Sequence, residues 1–229
     1  MGRPKRAADG GLIYHVLNRA NARLPIFETE ADFDAFVDVL AQSVARTGTE
    51  LYAFCVMTNH WHLVVKPHED GELSRFAGWL THTQRWHAHR RSAGTGHIYQ
   101  GRFKSFPVQD EEHFLTVCRY VERNALRANL VTRAEDWRWG SLWHWHQGTA
   151  AMKQLLSPWP IRRSAGWLDH VNAPQTEAEL TSLRRSVNRG CPFGDGQWST
   201  RMVKQLGLEN TVTPRGRPKI TGLKSKNGT

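Results

Sequence analysis

The sequence predicts an α+β domain. Three observations carry this: short β-rich runs at residues 13–18, 51–57, 61–65 and 103–108, three apolar repeats of helical period, and the order in which the two patterns alternate. Residues 13–18 read as a strand. Thr29 then stands where an N-cap would, with Asp32 three residues on, close to a capping box. Phe33, Phe36, Val37, Leu40 and Val44 recur at helical spacing, and Gly48 stops the helix. Thr58-Asn59 separates the next two runs and reads as the turn of a hairpin. Residues 67–71 break the pattern. Leu73, Phe76, Ala77, Leu80 and Gln84 trace a second amphipathic helix ending near Arg91. After a loop at 92–96 comes the fourth strand. Asp110 is then expected to cap a third helix, with Glu111 and Glu112 at its positive end and Phe114, Val117, Cys118 and Val121 on its apolar face.

The first six elements run β-α-β-β-α-β, the order of a ferredoxin-like sheet with helices on one face. The third helix is an addition. Composition shifts after about residue 147, where QGTAAMKQ and the prolines at 158 and 160 read as a linker. From 176 onward the chain reads as a basic, mainly helical extension. Thr176 and Glu179 form a capping box, Asp195 can cap a further helix, and NRGCPFG between them marks a helix-turn-helix-like module.

Bulk properties narrow the function. A chain of 229 residues with 39% hydrophobic residues and ten tryptophans can build a core. Its formal charge of +10 favours a polyanionic partner, most simply nucleic acid or an anionic membrane surface. The apolar runs are too short to span a bilayer, and the basic N-terminus lacks an apolar signal core, so a cytoplasmic protein without a membrane role is expected. Three scattered cysteines give neither a disulfide framework nor a C-x-x-C zinc spacing.

Three constellations carry chemistry. His60 and His62 head an apolar strand in TNHWHLVVKP. Residues i and i+2 of a strand share a face and lie about 7 Å apart along it. Two imidazoles so placed can converge on one divalent ion, or be ordinary polar residues of a half-exposed sheet. A metal needs a further ligand or substrate oxygens. Tyr120 and Asn124, four apart in CRYVERNALRANLV, share a helix face. One offers a phenol able to attack phosphorus, the other an amide oxygen for Mg²⁺ or Mn²⁺. They also fit a core-edge aromatic and a helix-end residue.

The third constellation spans residues 74–104, which hold Arg75, Arg85, Arg90, Arg91, Arg102 and Lys104 with no carboxylate, interleaved with Trp79, Trp86, Tyr99 and Phe103. Cations bind phosphate and aromatic faces stack on unpaired bases. Both ends carry a related peptide, with Arg3, Pro4 and Lys5 at one and Arg215, Arg217 and Pro218 at the other, suited to a minor groove or simply to a basic tail.

Several of these segments together resemble one family. FCVMTNHWHLVV resembles the His-hydrophobic-His box of the HUH endonucleases, in the form used by REP-associated tyrosine transposases and their single-tyrosine relatives. GHIYQGRFKSF, YVERNALRANLV and DWRWGS resemble further motifs of that branch, in the same order, from about Tyr14 to Ser141. Thr58, Ala125 and Asn129 replace the usual proline, proline and glycine, and none of these removes a catalytic group. The resemblance implies a nuclease/transposase domain over residues 1–147 and a C-terminal extension over 148–229. It also implies His60, His62 and Asn124 around Mg²⁺ or Mn²⁺, and Tyr120 as nucleophile. The implied activity is cleavage and rejoining of single-stranded or hairpin DNA through a 5′-phosphotyrosine, by a monomer rather than a homodimer and with less activity in acid. A non-catalytic hairpin-DNA-binding regulator and an RNA-directed or hydrolytic nuclease using the same metal are the alternatives.

Overall fold

The computed structural model describes residues 7–91 and 97–213, without the side chains of 84–91. Its elements are β1 (Ile13–Arg19), α1 (Glu30–Thr47), β2 (Glu50–Met57), β3 (His60–Lys66), α2 (Glu72–Arg91), β4 (Lys104–Val108) and α3 (Glu112–Glu122). The strands form one antiparallel sheet in the order β2-β3-β1-β4, the ferredoxin-like arrangement. The local signals explain the boundaries. Both arms of the Thr29–Asp32 capping box are made, and Gly48 closes α1 at φ 76°, a conformation that costs glycine nothing. Met57 pairs with His60, so Thr58 and Asn59 are a two-residue hairpin loop.

The sheet separates two cores. On one face α1 and α2 pack over Tyr14, Val16, Phe54, Val56, Trp61, Leu63 and Val65. On the other, α3 packs over Ile13, Tyr52, Cys55, Val64, Phe106 and Val108. The start of α3 differs from the sequence expectation, because Asp110 does not cap it. Glu111 precedes the helix at φ 59°, and no side chain caps it. Gln109 is still held at the sheet edge, its N–H donating to Phe193 O at 2.9 Å, so the reversal into the helix falls after it.

The chain continues through α4 (Asn124–Arg127), α5 (Ser141–His146), α6 (Ala150–Lys153), α7 (Trp167–Asn172), α8 (Glu177–Arg189), α9 (Gly196–Leu206) and α10 (Glu209–Val212). The capping box at Thr176 and the Asp195 cap both form. These later segments cover the edges of the sheet. Val56 N donates to Trp139 O, Ser157 N to Leu51 O, and the Trp159 indole to Tyr52 O, so the free side of β2 is occupied. At the other edge Phe193 pairs in parallel with Val108. Backbone groups occupied in this way are withdrawn from the edge pairing that templates aggregation. NRGCPFG thus crosses the β4 edge. Leu180 and Leu183 of α8 join the core under α3, whereas Met202 and Leu206 of α9 join the core under α1 and α2.

Candidate active site

The hairpin turn sets the site. Thr58 O accepts from Ile26 N and Phe27 N, Asn59 O accepts from Ala20 N, and the Asn59 amide donates to Arg23 O at 2.8 Å. With the turn pinned, β3 must start at His60. His60 lies opposite Arg19 and Met57, and His62 opposite Leu17 and Cys55. Directly paired residues share a face, so both imidazoles point toward α3. Trp61 points the other way. It is fully buried, packs 5.9 Å from Phe36 ring to ring, and donates its indole N–H to Tyr99 Oη at 3.0 Å. The tryptophan between the histidines therefore anchors the strand that displays them.

The ring centroids of His60 and His62 are 5.0 Å apart. His60 Nδ1 lies 2.7 Å from Asn59 Oδ1. The Asn59 amide nitrogen is committed to Arg23 O, so Oδ1 accepts and His60 Nδ1 carries the proton. Its Nε2 lone pair is then free. His62 Nδ1 lies 2.9 Å from Nε2 of His15, which is fully buried and stacks on Phe106 at 4.8 Å. A proton on His62 Nδ1 donated to His15 would free His62 Nε2 in the same way. An outer hydrogen bond that fixes the tautomer is the usual support of a metal-binding histidine.

α3 brings in the phenol. Tyr120 is 6% exposed and its ring meets His62 edge-on at 5.7 Å. Asn124, at the start of α4, is 4% exposed, and its Oδ1 accepts from Arg127 Nη2 at 2.9 Å. The Arg127 guanidinium stacks 4.1 Å above the Tyr120 ring. Asn129 ends this turn at φ 56°, the left-handed conformation that asparagine tolerates in place of glycine.

Burial, with the positive charges of Arg19 and Arg127, lowers the His60 pKa to about 3. Burial alone lowers His15 to about 3. His62 is held well below the ordinary value by burial and then by His60, His15, Arg127 and Arg19. All three imidazoles are neutral near pH 7, the form that binds a cation. Among the described residues no group of three His, Cys, Asp or Glu side chains could hold a metal ion. His60 and His62 nevertheless fit two positions of a coordination shell through their Nε2 atoms. Asn124 Oδ1 keeps a second lone pair for a third, and waters or phosphate oxygens complete the shell of a hard divalent ion.

A proton competes with the metal only where the imidazole titrates. An exposed pair would lose affinity as pH falls through about 6.5. Here Mn²⁺ affinity, followed by isothermal titration, is expected to stay level from about pH 8 to about pH 5, and to fall only nearer the lowered value of about 3.

The structure thus brings together Tyr120, His60, His62 and Asn124. Lys104 lies opposite Leu17 and so on the same face, but is exposed. Arg75 is on α2 beyond the other face, 3.5 Å from Glu69. Arg102 lines a cleft of about 1270 Å³ with Asp9, Asp70 and His82, away from the histidine pair. The side chains of Arg85 and Arg90, and residues Arg3, Pro4, Lys5, Arg215 and Arg217, lie outside the described residues. Sequence reasoning missed His15, Arg19 and Arg127. Arg127 stands three residues after Asn124 and seven after Tyr120, a helical spacing that was there to be read.

A family model described as transposase IS200-like matches residues 10–124, half of the chain and nearly all of the site. The chain belongs to the IS200-like transposase family. Its chemistry is therefore DNA processing of the transposase type. Among solved structures, a REP-associated tyrosine transposase bound to a REP hairpin shares the fold of this transposase. The TM-score is 0.50 at 14% identity, over 72% of this chain and 96% of that one. A putative transposase from Deinococcus radiodurans aligns with a TM-score of 0.38 at 17% identity, over 57% and 95% of the two chains. No curated protein matches. No helix among the described residues is long and apolar enough to cross a membrane.

Proposed function

We propose that this transposase is a metal-dependent strand transferase acting on single-stranded DNA at a hairpin, through a 5′-phosphotyrosine intermediate. The observation that carries the reading is the meeting of Tyr120 with His62 at 5.7 Å, in a pocket where both histidines are neutral and a guanidinium covers the phenol. The family match supports the reaction class, and the hairpin bound to the solved relative supports the substrate class.

Tyr120 Oη forms a bond to phosphorus and the P–O3′ bond breaks. The phenol loses a proton, the departing 3′-oxygen gains one, and the 5′ end of the downstream strand is left on the tyrosine. A 3′-OH attacking that link runs the exchange in reverse, so no nucleotide or water is consumed. His60 and His62 would hold Mg²⁺ or Mn²⁺, with Asn124 as third partner, and a bound cation supplies Lewis-acid polarisation of the phosphate oxygens. The chain's own part is positional. Asn59 and His15 fix the imidazoles, and α3 holds the phenol against them. Tyr120 and the histidine pair meet within one chain, which supports a monomer as the acting unit. Lys104 stands on the active face, where it can meet the backbone of the bound strand. The basic tail and terminal peptides would grip the hairpin stem.

The test is incubation with hairpin oligonucleotides and Mn²⁺, followed by denaturing electrophoresis. A 3′-end label should move with the protein, and a 5′-end label should appear on a shortened strand that a polymerase can extend. EDTA should abolish both products. Shortened strands without protein-linked label would identify a hydrolytic nuclease, and binding with no cleavage a regulator.

A further inference from the structure

We infer that Arg19, Arg127 and Asn124 form an anion cradle beside Tyr120 that takes the non-bridging oxygens of a phosphodiester. This rests on the strand-transfer reading for its role in catalysis, but not for the binding of an anion.

Among the described residues, three buried guanidinium and amide N–H groups at this spot have no acceptor: Arg19 Nε, Arg127 Nη1 and Asn124 Nδ2. Buried donors are nearly always matched, so several unmatched ones in one place call for an explanation. All three are donors, and what satisfies only donors is a group rich in acceptor oxygens. The atoms are held for that purpose. Arg19 lies opposite His60 in the sheet register and on the same face. Arg127 is fixed by its stacking on Tyr120 at 4.1 Å and by its other terminal nitrogen, which donates to Asn124 Oδ1 at 2.9 Å. That bond settles which end of the Asn124 amide is the oxygen and leaves Nδ2 as the free donor.

Arg119 and Arg163 also carry an unmatched nitrogen, but each has a carboxylate within reach, Glu179 at 3.4 Å and Glu122 at 3.8 Å. Arg19 and Arg127 have no ion pair with a carboxylate among the described residues. Two guanidiniums without counter-ions, beside neutral imidazoles, make the pocket positive before any cation enters. Arg127 also lies against the group that must become a phenolate. As Tyr120 Oη bonds to phosphorus and the P–O3′ bond breaks, charge builds on the equatorial oxygens, where fixed donors stabilise it.

The test separates anion binding from chemistry. Inorganic phosphate is titrated into the metal-free full chain at constant ionic strength, with chloride as control, while the arginine side-chain N–H signals are followed by NMR. The Arg19 Nε–H signal should shift and saturate with phosphate but not with chloride. Arg127→Gln should weaken phosphate binding by at least about tenfold, with Arg127→Lys restoring part of it. In the adduct assay Arg127→Gln should slow the single-turnover rate at saturating hairpin by about 10²-fold, a loss beyond any weakening of hairpin binding. An Arg19 signal indifferent to phosphate in the wild-type chain, or equal phosphate affinity in Arg127→Gln, overturns the cradle. Phosphate binding with no adduct from the wild-type chain would keep the cradle and reject the strand-transfer reading instead.

Discussion

Tyr120→Phe is expected to remove the covalent protein–DNA adduct altogether, a loss of at least about 10⁴-fold in single-turnover rate, while hairpin affinity stays nearly unchanged. The contrast between the two readouts follows from what the ring does besides carrying a hydroxyl. It sits edge-on to His62 at 5.7 Å and to His15 at 6.3 Å, and beneath Arg127 at 4.1 Å. A phenyl ring keeps all three contacts, because edge contact and cation–π attraction depend on the ring and not on the oxygen. The pocket should therefore persist with only the nucleophile gone. An adduct formed by the Phe variant would reject Tyr120 as the nucleophile. A variant that lost hairpin binding as well would place the hydroxyl in recognition rather than in chemistry. Tyr120→Ala is a poorer choice, since it would also unseat Arg127 and the two imidazoles.

The fold was legible because its determinants are local. Alternation, a capping box at Thr29 and a left-handed glycine at 48 fix β1, α1 and β2 within a few residues of sequence. The hairpin turn likewise fixes which face His60 and His62 share. Which other residues meet them depends on register and on packing across the sheet. His15 is found only once β1 is known to lie beside β3 with Leu17 opposite His62. Arg19 needs the same register. Asp110 looked like a cap because the cap chemistry was right, but the tie between Gln109 and Phe193, a contact over 80 residues along the chain, moved the turn past it. The edge-covering segments were invisible for a related reason. Trp139 and Phe193 meet the strand edges through backbone groups that every residue carries, so no side-chain pattern marks those contacts.

Glu122→Ala is expected to destabilise the chain by about 3–5 kcal/mol, the range for removing one member of a buried charged network, read as a lower urea midpoint. Glu122 is 2% exposed and two residues from Tyr120. Its carboxylate accepts from Ser141 Oγ at 2.9 Å and from the Trp167 indole at 2.7 Å, and Arg163 lies 3.8 Å away. Arg163 in turn stacks over Trp159 at 3.9 Å and Trp145 at 4.7 Å. One carboxylate thus joins the tyrosine helix to α5, α7 and the segment between them. Removing it leaves a hydroxyl, an indole N–H and a guanidinium together without an acceptor. Glu122→Gln keeps one accepting oxygen and the side-chain volume, so it should cost less, with Arg163 alone left uncompensated. A midpoint unchanged in the Ala variant would show that the network is replaced by water and that the segment around Trp167 is only loosely held. The expected loss is instead comparable to the whole margin of a domain at the lower end of the usual 5–15 kcal/mol. On that scale the residues after 147 are a condition for holding Tyr120 in place, and cutting them away should cost the adduct before it costs any direct contact with DNA.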